Sequence, residues 1–231
     1  MGKGEAKASA KGAASSAPTN SLREWASGQA GKPVPRGRRE RRRMETREKI
    51  FRAALGLFAE RGFAAVTVED ITEAADVGKG TFFNYFPSKE HVFGAFGDIQ
   101  IGKIESTLAE VHAGNLSVRA ALETFPRLLA EEPGRSPRIM QSLIVALLTS
   151  RQVREIFLGK VMRGRRMVAE LLTLGQRRGE IRRDIAPMEL ARCVQQAYFG
   201  AMLMWSLDET GKLARRFAEA YAVLWPGIRK D

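Results

Sequence analysis

The chain has 231 residues, one cysteine, and 44 % hydrophobic against 28 % charged residues, a composition that supports a buried core and excludes an internal disulfide. No stretch reaches ~18 uninterrupted apolar residues, and Cys, His and acidic residues nowhere cluster with metal-ligand spacing, which sets aside membrane-spanning and metal-centred classes. A formal charge of +12 calls for a polyanionic partner but does not by itself choose nucleic acid over an anionic membrane surface.

Two-thirds of that excess sits at the amino end. Residues 1–44 hold 11 Lys/Arg against 3 Asp/Glu. Residues 1–35, rich in Gly, Ala, Ser, Lys and Pro, lack hydrophobic periodicity and are expected to be disordered. The basic run "RGRRERRR" follows, and the whole of 1–44 reads as a disordered basic arm in which Arg42 and Arg43 are candidate phosphate or minor-groove contacts. From Thr46 the apolar positions Ile50, Ala53, Ala54, Leu57 and Phe58 recur at helical steps up to a stop at Gly62. Thr67 and Asp70 then form a capping-box pattern ahead of a second helix through Ile71 and Ala75. "DVGKG" makes a turn, "KGTFFNYF" a helix too short to stand alone, and Ser88 after Pro87 an expected N-cap for a fourth helix. Beyond residue 94 the pattern stays helical, with elements expected near 94–112, 118–131, 137–149, 151–178, 187–206 and 211–224.

Two short helices joined by a glycine-containing turn are the helix-turn-helix unit, whose second helix enters the major groove of DNA. At the start of that helix Gly78 and Gly80 permit close approach, and Lys79 and Thr81 can reach bases or phosphates. Phe82 and Phe86, four apart, share the face that packs inward, leaving Asn84 and Tyr85 outward. Asn pairs bidentately with adenine and a Tyr hydroxyl bonds phosphate. Thr67 and Lys89 stand near helix starts, where backbone N–H groups attract phosphate. Each also has a plainer reading, Thr67 as a cap and Lys89 as a solvated charge.

Residues 46–96, through "F-x-x-x-G-F", "T-V-x-D-I", "A-x-V-x-x-G-T-x-F-x-x-F" and "S-K-E", resemble the TetR family of bacterial transcriptional regulators. The resemblance implies an all-α homodimer with a three-helix DNA-binding domain, here 45–93, and a helical effector-binding and dimerisation domain, here 94–231. It implies DNA contacts at Thr67, Lys79, Thr81, Tyr85 and Lys89, to which Gly80, Phe83 and Asn84 are added. Asp76 replaces a frequent turn glycine and tolerates the same left-handed geometry. Phe83 replaces a frequent Tyr and lacks its hydroxyl. "RRGEIRRDIAPMELARCVQQAYFGAMLMW" and "GKLARRFAEAYAVLWPGI" are similar to the two helices of the family's dimer bundle.

Val194, Ala197, Tyr198, Ala201 and Met202 follow helical steps and are the candidate dimer face, with packing inside one subunit as the other reading. Phe125, Met140, Phe157, Met162 and Trp205 are candidates to line a cavity for a mostly apolar effector, or else simply form core. The expected function is a sequence-specific, ligand-responsive repressor that binds a palindromic operator as a homodimer in the cytoplasm, with double-stranded DNA and a small-molecule effector as partners. No enzyme activity, cofactor, metal or membrane partner is expected. The alternative is a non-specific basic-tail binder of DNA or membrane surfaces that makes no use of residues 67–86.

Overall fold

The computed structural model describes residues 37–230. Its helices are α1 (Arg38–Arg61), α2 (Val68–Ala74), α3 (Lys79–Phe83), α4 (Glu90–His112), α5 (Val118–Ala130), α6 (Pro137–Thr149), α7 (Arg151–Arg178), α8 (Pro187–Asp208) and α9 (Leu213–Ile228), with a 3-10 turn at Pro133–Arg135. Among the described residues the extended structure is one isolated bridge, Ile181 to Arg229. The all-α expectation is met, and the five C-terminal helices fall close to their expected spans.

One boundary differs from expectation. The expected disorder of residues 1–35 lies outside the described residues, but the end of the basic arm does not. Arg38–Met44 form the first two turns of α1, because Arg and Glu are good helix formers that can extend a helix already anchored by its apolar face. Residues 93 and 94, where the division between the two domains is expected, lie inside a helix. There α4 runs unbroken, burying Val92 and Phe93 on one side of that point and Gly94, Ala95 and Phe96 on the other. Ser88 is not its N-cap; the Ser88 hydroxyl pairs with His91 Nδ1 at 3.0 Å.

The head formed by α1 to α3 is built around aromatic rings. Phe58, Phe63 and Phe93 form a triangle with centroids 5.1 to 5.4 Å apart, joining α1, the α1–α2 loop and α4. The Lys89 ammonium lies 4.6 Å from the centre of the Phe63 ring and donates to the Phe63 and Val66 carbonyls at 3.0 and 2.7 Å. It therefore ties the loop before α2 to the start of α4. Thr67 caps α2: its hydroxyl accepts from the Asp70 amide at 3.1 Å while the Asp70 carboxylate accepts from the Thr67 amide at 2.7 Å. The Thr67 hydroxyl also donates to the Asp70 carboxylate at 2.5 Å, and this bond first, then that from the Thr67 amide, holds the Asp70 carboxyl below its usual pKa range.

The body is a bundle in which α4 and α7 lie side by side. Neighbouring pairs advance together along both helices, from Gly94 with Ile156 through Ile104 with Gly164 to His112 with Glu170, so the two run parallel. Glycines permit this closeness: a Cβ on Gly94 would stand 2.7 Å from Ile156 Cγ2. Lys103 of α4, buried, pairs with Glu132 and with Glu131 (2.9 Å) at the end of α5. The chain end is pinned to the α7–α8 loop by bonds from the Arg182 amide to the Ile228 carbonyl (3.0 Å) and from the Lys230 amide to the Glu180 carbonyl (3.1 Å).

Gly175 of α7 has no room for a side chain, since an added Cβ would lie 2.4 Å from Ile181 Cγ1 and 2.9 Å from Val118 Cγ1. Gly175→Ala is expected to destabilise the fold by about 1–3 kcal/mol. Gly159→Ala, in the same helix but facing open space, is expected to stabilise it by roughly 0.5–1 kcal/mol. Urea unfolding of the two variants checks the contrast. In the head, Lys89→Met is expected to lower the unfolding midpoint in the same assay, since it strands two carbonyls.

Candidate nucleic-acid interface and effector cavity

The polypeptide between α2 and α3 turns at Asp76, which adopts the left-handed conformation (φ 46°) expected of it, and the Val77 amide closes on the Thr72 carbonyl at 3.0 Å. This delivers Gly78 as the N-cap of α3 in extended geometry. Five residues cannot hold a helix in water. Packing does so here: Phe82 and Phe86 are fully buried, their rings 5.7 Å apart, in the same core as Ile71 and Phe58.

Burial of that face leaves the opposite edge of α3 to solvent. Lys79, Gly80, Phe83 and Asn84 are exposed, with Phe83 at 49 %, and Thr81 and Tyr85 are half-buried beside them. Thr67 is exposed at the adjoining end of α2. The structure thus brings together seven of the predicted DNA-binding residues on one surface. The Lys79 ammonium is paired with the Glu69 carboxylate of α2, a contact whose hydrogen bond holds the Glu69 carboxyl below its usual pKa. Glu69 was not singled out from the sequence, and its only signal there is its place one residue before the capping Asp70.

Lys89 has partners within the chain that its expected role did not include. Its ammonium is turned toward two backbone carbonyls and a ring rather than outward, so the geometry makes it a brace of the α1–α2 loop. Arg42 and Arg43 are exposed, on a helix rather than on a flexible arm.

In the body a cavity of about 150 Å³ opens between α4, α5, α7, α8 and α9. Phe125 and Phe157 line it as predicted. Met140 and Trp205 do not: Met140 is buried elsewhere in the core, and the Trp205 indole donates to the Gly211 carbonyl at 3.1 Å, closing the α8–α9 turn. Met162 is 42 % exposed on the outer side of α7. Residue type alone does not say which side of a helix a methionine occupies.

The same ambiguity affected the predicted dimer face. Val194, Tyr198 and Met202 are buried and line the cavity of their own subunit, so the intrasubunit reading holds for these three. Ala197 and Ala201 are half-buried beside them. The outward face of α8 instead presents Cys193, Gln196, Gly200, Leu203, Met204 and Leu207. Helix α8 is apolar on both sides, and periodicity identifies a stripe without saying which stripe faces in.

The polar lining of the cavity was not legible in advance. Lys160 pairs with Asp98 of α4, and Arg165 Nε donates to Gln195 Oε1 at 2.8 Å. Tyr198 is buried enough that its hydroxyl is held protonated well above its usual pKa, chiefly by desolvation. Gln100 reaches the cavity from α4. Among the described residues no group of three or more His, Cys, Asp or Glu could hold a metal ion, and no helix is long and apolar enough to cross a membrane.

Residues 50–96 match the sequence profile of the bacterial regulatory proteins of the tetR family. Over 171 residues, 72 % of this chain and 85 % of the relative, the sequence is 31 % identical to the HTH-type transcriptional repressor DhaR of Mycobacterium sp. (strain GP1). It is 28 % identical over 179 residues to the HTH-type transcriptional regulator EthR of Mycolicibacterium smegmatis, covering 76 % of this chain and 82 % of the relative. The fold superposes with a TM-score of 0.59 and 30 % identity on Thermus thermophilus FadR, a TetR-family transcriptional repressor in complex with lauroyl-CoA, covering 78 % of this chain and 93 % of that one. With the helix-turn-helix geometry and the helical body in place, the chain belongs to the TetR family of bacterial transcriptional regulators.

Proposed function

We propose that this DNA-binding regulator works as a homodimeric repressor, reads a palindromic operator through α3, and releases it when a small molecule occupies the body cavity. The observation that carries this reading is the division of α3 into two faces, Phe82 and Phe86 buried and Lys79, Gly80, Phe83 and Asn84 exposed. A helix anchored in this way presents a rigid edge of the size that the major groove accepts, where all four base-pair orientations differ. In this reading Thr67, Lys79, Thr81, Asn84 and Tyr85 contact bases or phosphates, Gly80 permits approach, and the Phe83 ring packs on a sugar or a thymine methyl. Arg42 and Arg43 add phosphate contacts from a rigid helix. Lys89 keeps the surface in register from behind.

The outer face of α8, with Leu203, Met204 and Leu207, joins the exposed Val223 of α9 as the dimer surface. Two copies related by a two-fold axis would place their α3 helices on half-sites about one helical turn apart. Helix α4 supplies the route from effector to DNA, since Phe93 lies in the head core and Phe96, Gln100 and Ile104 of the same helix line the cavity. A ligand that prefers one of two arrangements of this helix shifts the equilibrium between them. The lauroyl-CoA bound to FadR supports a small-molecule effector as the class of ligand. We ascribe binding rather than catalysis to the chain. The Ser88 hydroxyl beside His91 also accepts from Gln152 (3.4 Å) across the head–body boundary and acts as a structural tie.

Selection of bound duplexes from a random pool by the full-length protein is expected to return a palindrome. If no sequence is enriched, and binding disappears in the Arg42→Ala/Arg43→Ala variant, the basic-tail reading replaces this one. With a selected site, that variant should retain the preferred sequence and reduce the slope of log K against log salt by about 2. Glu69→Gln, which frees the Lys79 ammonium, is expected to tighten binding several-fold in titrations at low salt. Leu207→Glu should shift the protein from dimer to monomer in analytical ultracentrifugation without changing its helical content.

A further inference from the structure

One side chain gives the cavity a chemical preference. The amide of Gln100 has its nitrogen 3.4 Å from Glu132 Oε2, and a carboxylate can only accept, so the nitrogen faces Glu132 and the oxygen is turned away from it. Glu132 is itself fixed: it is 4 % exposed and held by the buried Lys103 ammonium, which also bonds the Leu128 carbonyl. Gln100 Oε1 is buried and has no hydrogen-bond partner in the protein, although the residue lines the cavity. A buried acceptor of this kind is costly until a donor reaches it. The rest of the wall near it is apolar and largely aromatic, including Phe96, Phe125 and Phe217.

Charge on the ligand is disfavoured from both directions. Behind Gln100 the Lys103 and Arg127 cations balance the Glu131 and Glu132 carboxylates, which leaves no net charge there to hold an ion. Of the cations on the wall, Lys160 is answered by Asp98, and Arg165 Nε is committed to Gln195. The first is thereby neutralised, Arg165 repels a cationic ligand, and an apolar lining would have to desolvate an ion of either sign.

We infer that the cavity takes a compact, uncharged, ring-shaped molecule carrying one O–H or N–H donor, which bonds Gln100 Oε1. A volume of about 150 Å³ suits a single six-membered ring with a small substituent, and aromatic walls favour a flat one. This inference rests on the reading of the cavity as the effector site and adds the ligand class.

The test compares phenol, toluene and benzoate, which share a ring and differ in donor and charge, by ligand-observed NMR titration of the full-length protein and of Gln100→Leu. Phenol is expected to bind about tenfold more tightly than toluene to the native chain. In Gln100→Leu the two should become equal, or toluene the tighter. Binding of toluene by the variant shows that its cavity is intact, and Gln100→Met serves if Gln100→Leu does not fold. Equal affinities in the native chain overturn the hydrogen-bonding role of Gln100, and benzoate as the tightest probe overturns the preference for an uncharged ligand. If none of the three binds while the protein still binds DNA, the effector reading of the cavity itself fails.

Discussion

Burial of Phe82 and Phe86 is the constraint on which the molecule depends. Helix α3 has five residues, too few to form on its own backbone hydrogen bonds, so its existence and orientation are set by two rings sunk in the head core. Everything that fixes that core consequently fixes the exposed edge of α3: the Phe58, Phe63 and Phe93 triangle, the cap at Thr67, and the Lys89 ammonium bonded to the loop before α2. The residues that hold this surface are not those that display it, so its rigidity is set from behind.

The same logic links head and body. Helix α4 carries Phe93 into the head and Gln100 into the cavity wall, seven residues apart on one continuous helix. Its parallel packing on α7 is close because Gly94, Gly97 and Gly164 remove side chains at the contact, and it is reinforced by the Asp98 to Lys160 pair. Close-packed helices have few intermediate positions available to them. A ligand inserted between α4 and α7 would therefore displace α4 as a unit, and the head rings would follow. Arg47 of α1, partly desolvated near Asp98, places a further charged group of the head beside this seam.

Much of this was legible in the sequence, and the remainder fails for identifiable reasons. The spacing of Phe82 and Phe86, the cap at Thr67 and Asp70, and the turn at Asp76 are local features, decided within a few residues, and each is found as read. The internal partners of Lys89 were not legible because the direction of a long side chain is settled by groups distant in sequence, here the carbonyls of Phe63 and Val66. Helix α8 is apolar on two sides, so the assignment of Val194, Tyr198 and Met202 to a dimer face could not be decided by period alone; the cavity they line requires α4, α5, α7 and α9 to be in place. Gln100 lies between two isoleucines and gives no signal of its own. Only its packing against Glu132 orients it.

The central claim is that the exposed edge of α3 reads base edges in the major groove. It is tested most directly by replacing the purines of a selected operator, one at a time, with their 7-deaza analogues, which remove the N7 acceptor from the major groove and leave the backbone charge unchanged. The account predicts affinity losses confined to a few purines, placed symmetrically in two half-sites. Undiminished binding to every substituted duplex would contradict it, and would mean that recognition rests on the phosphate backbone or the minor groove.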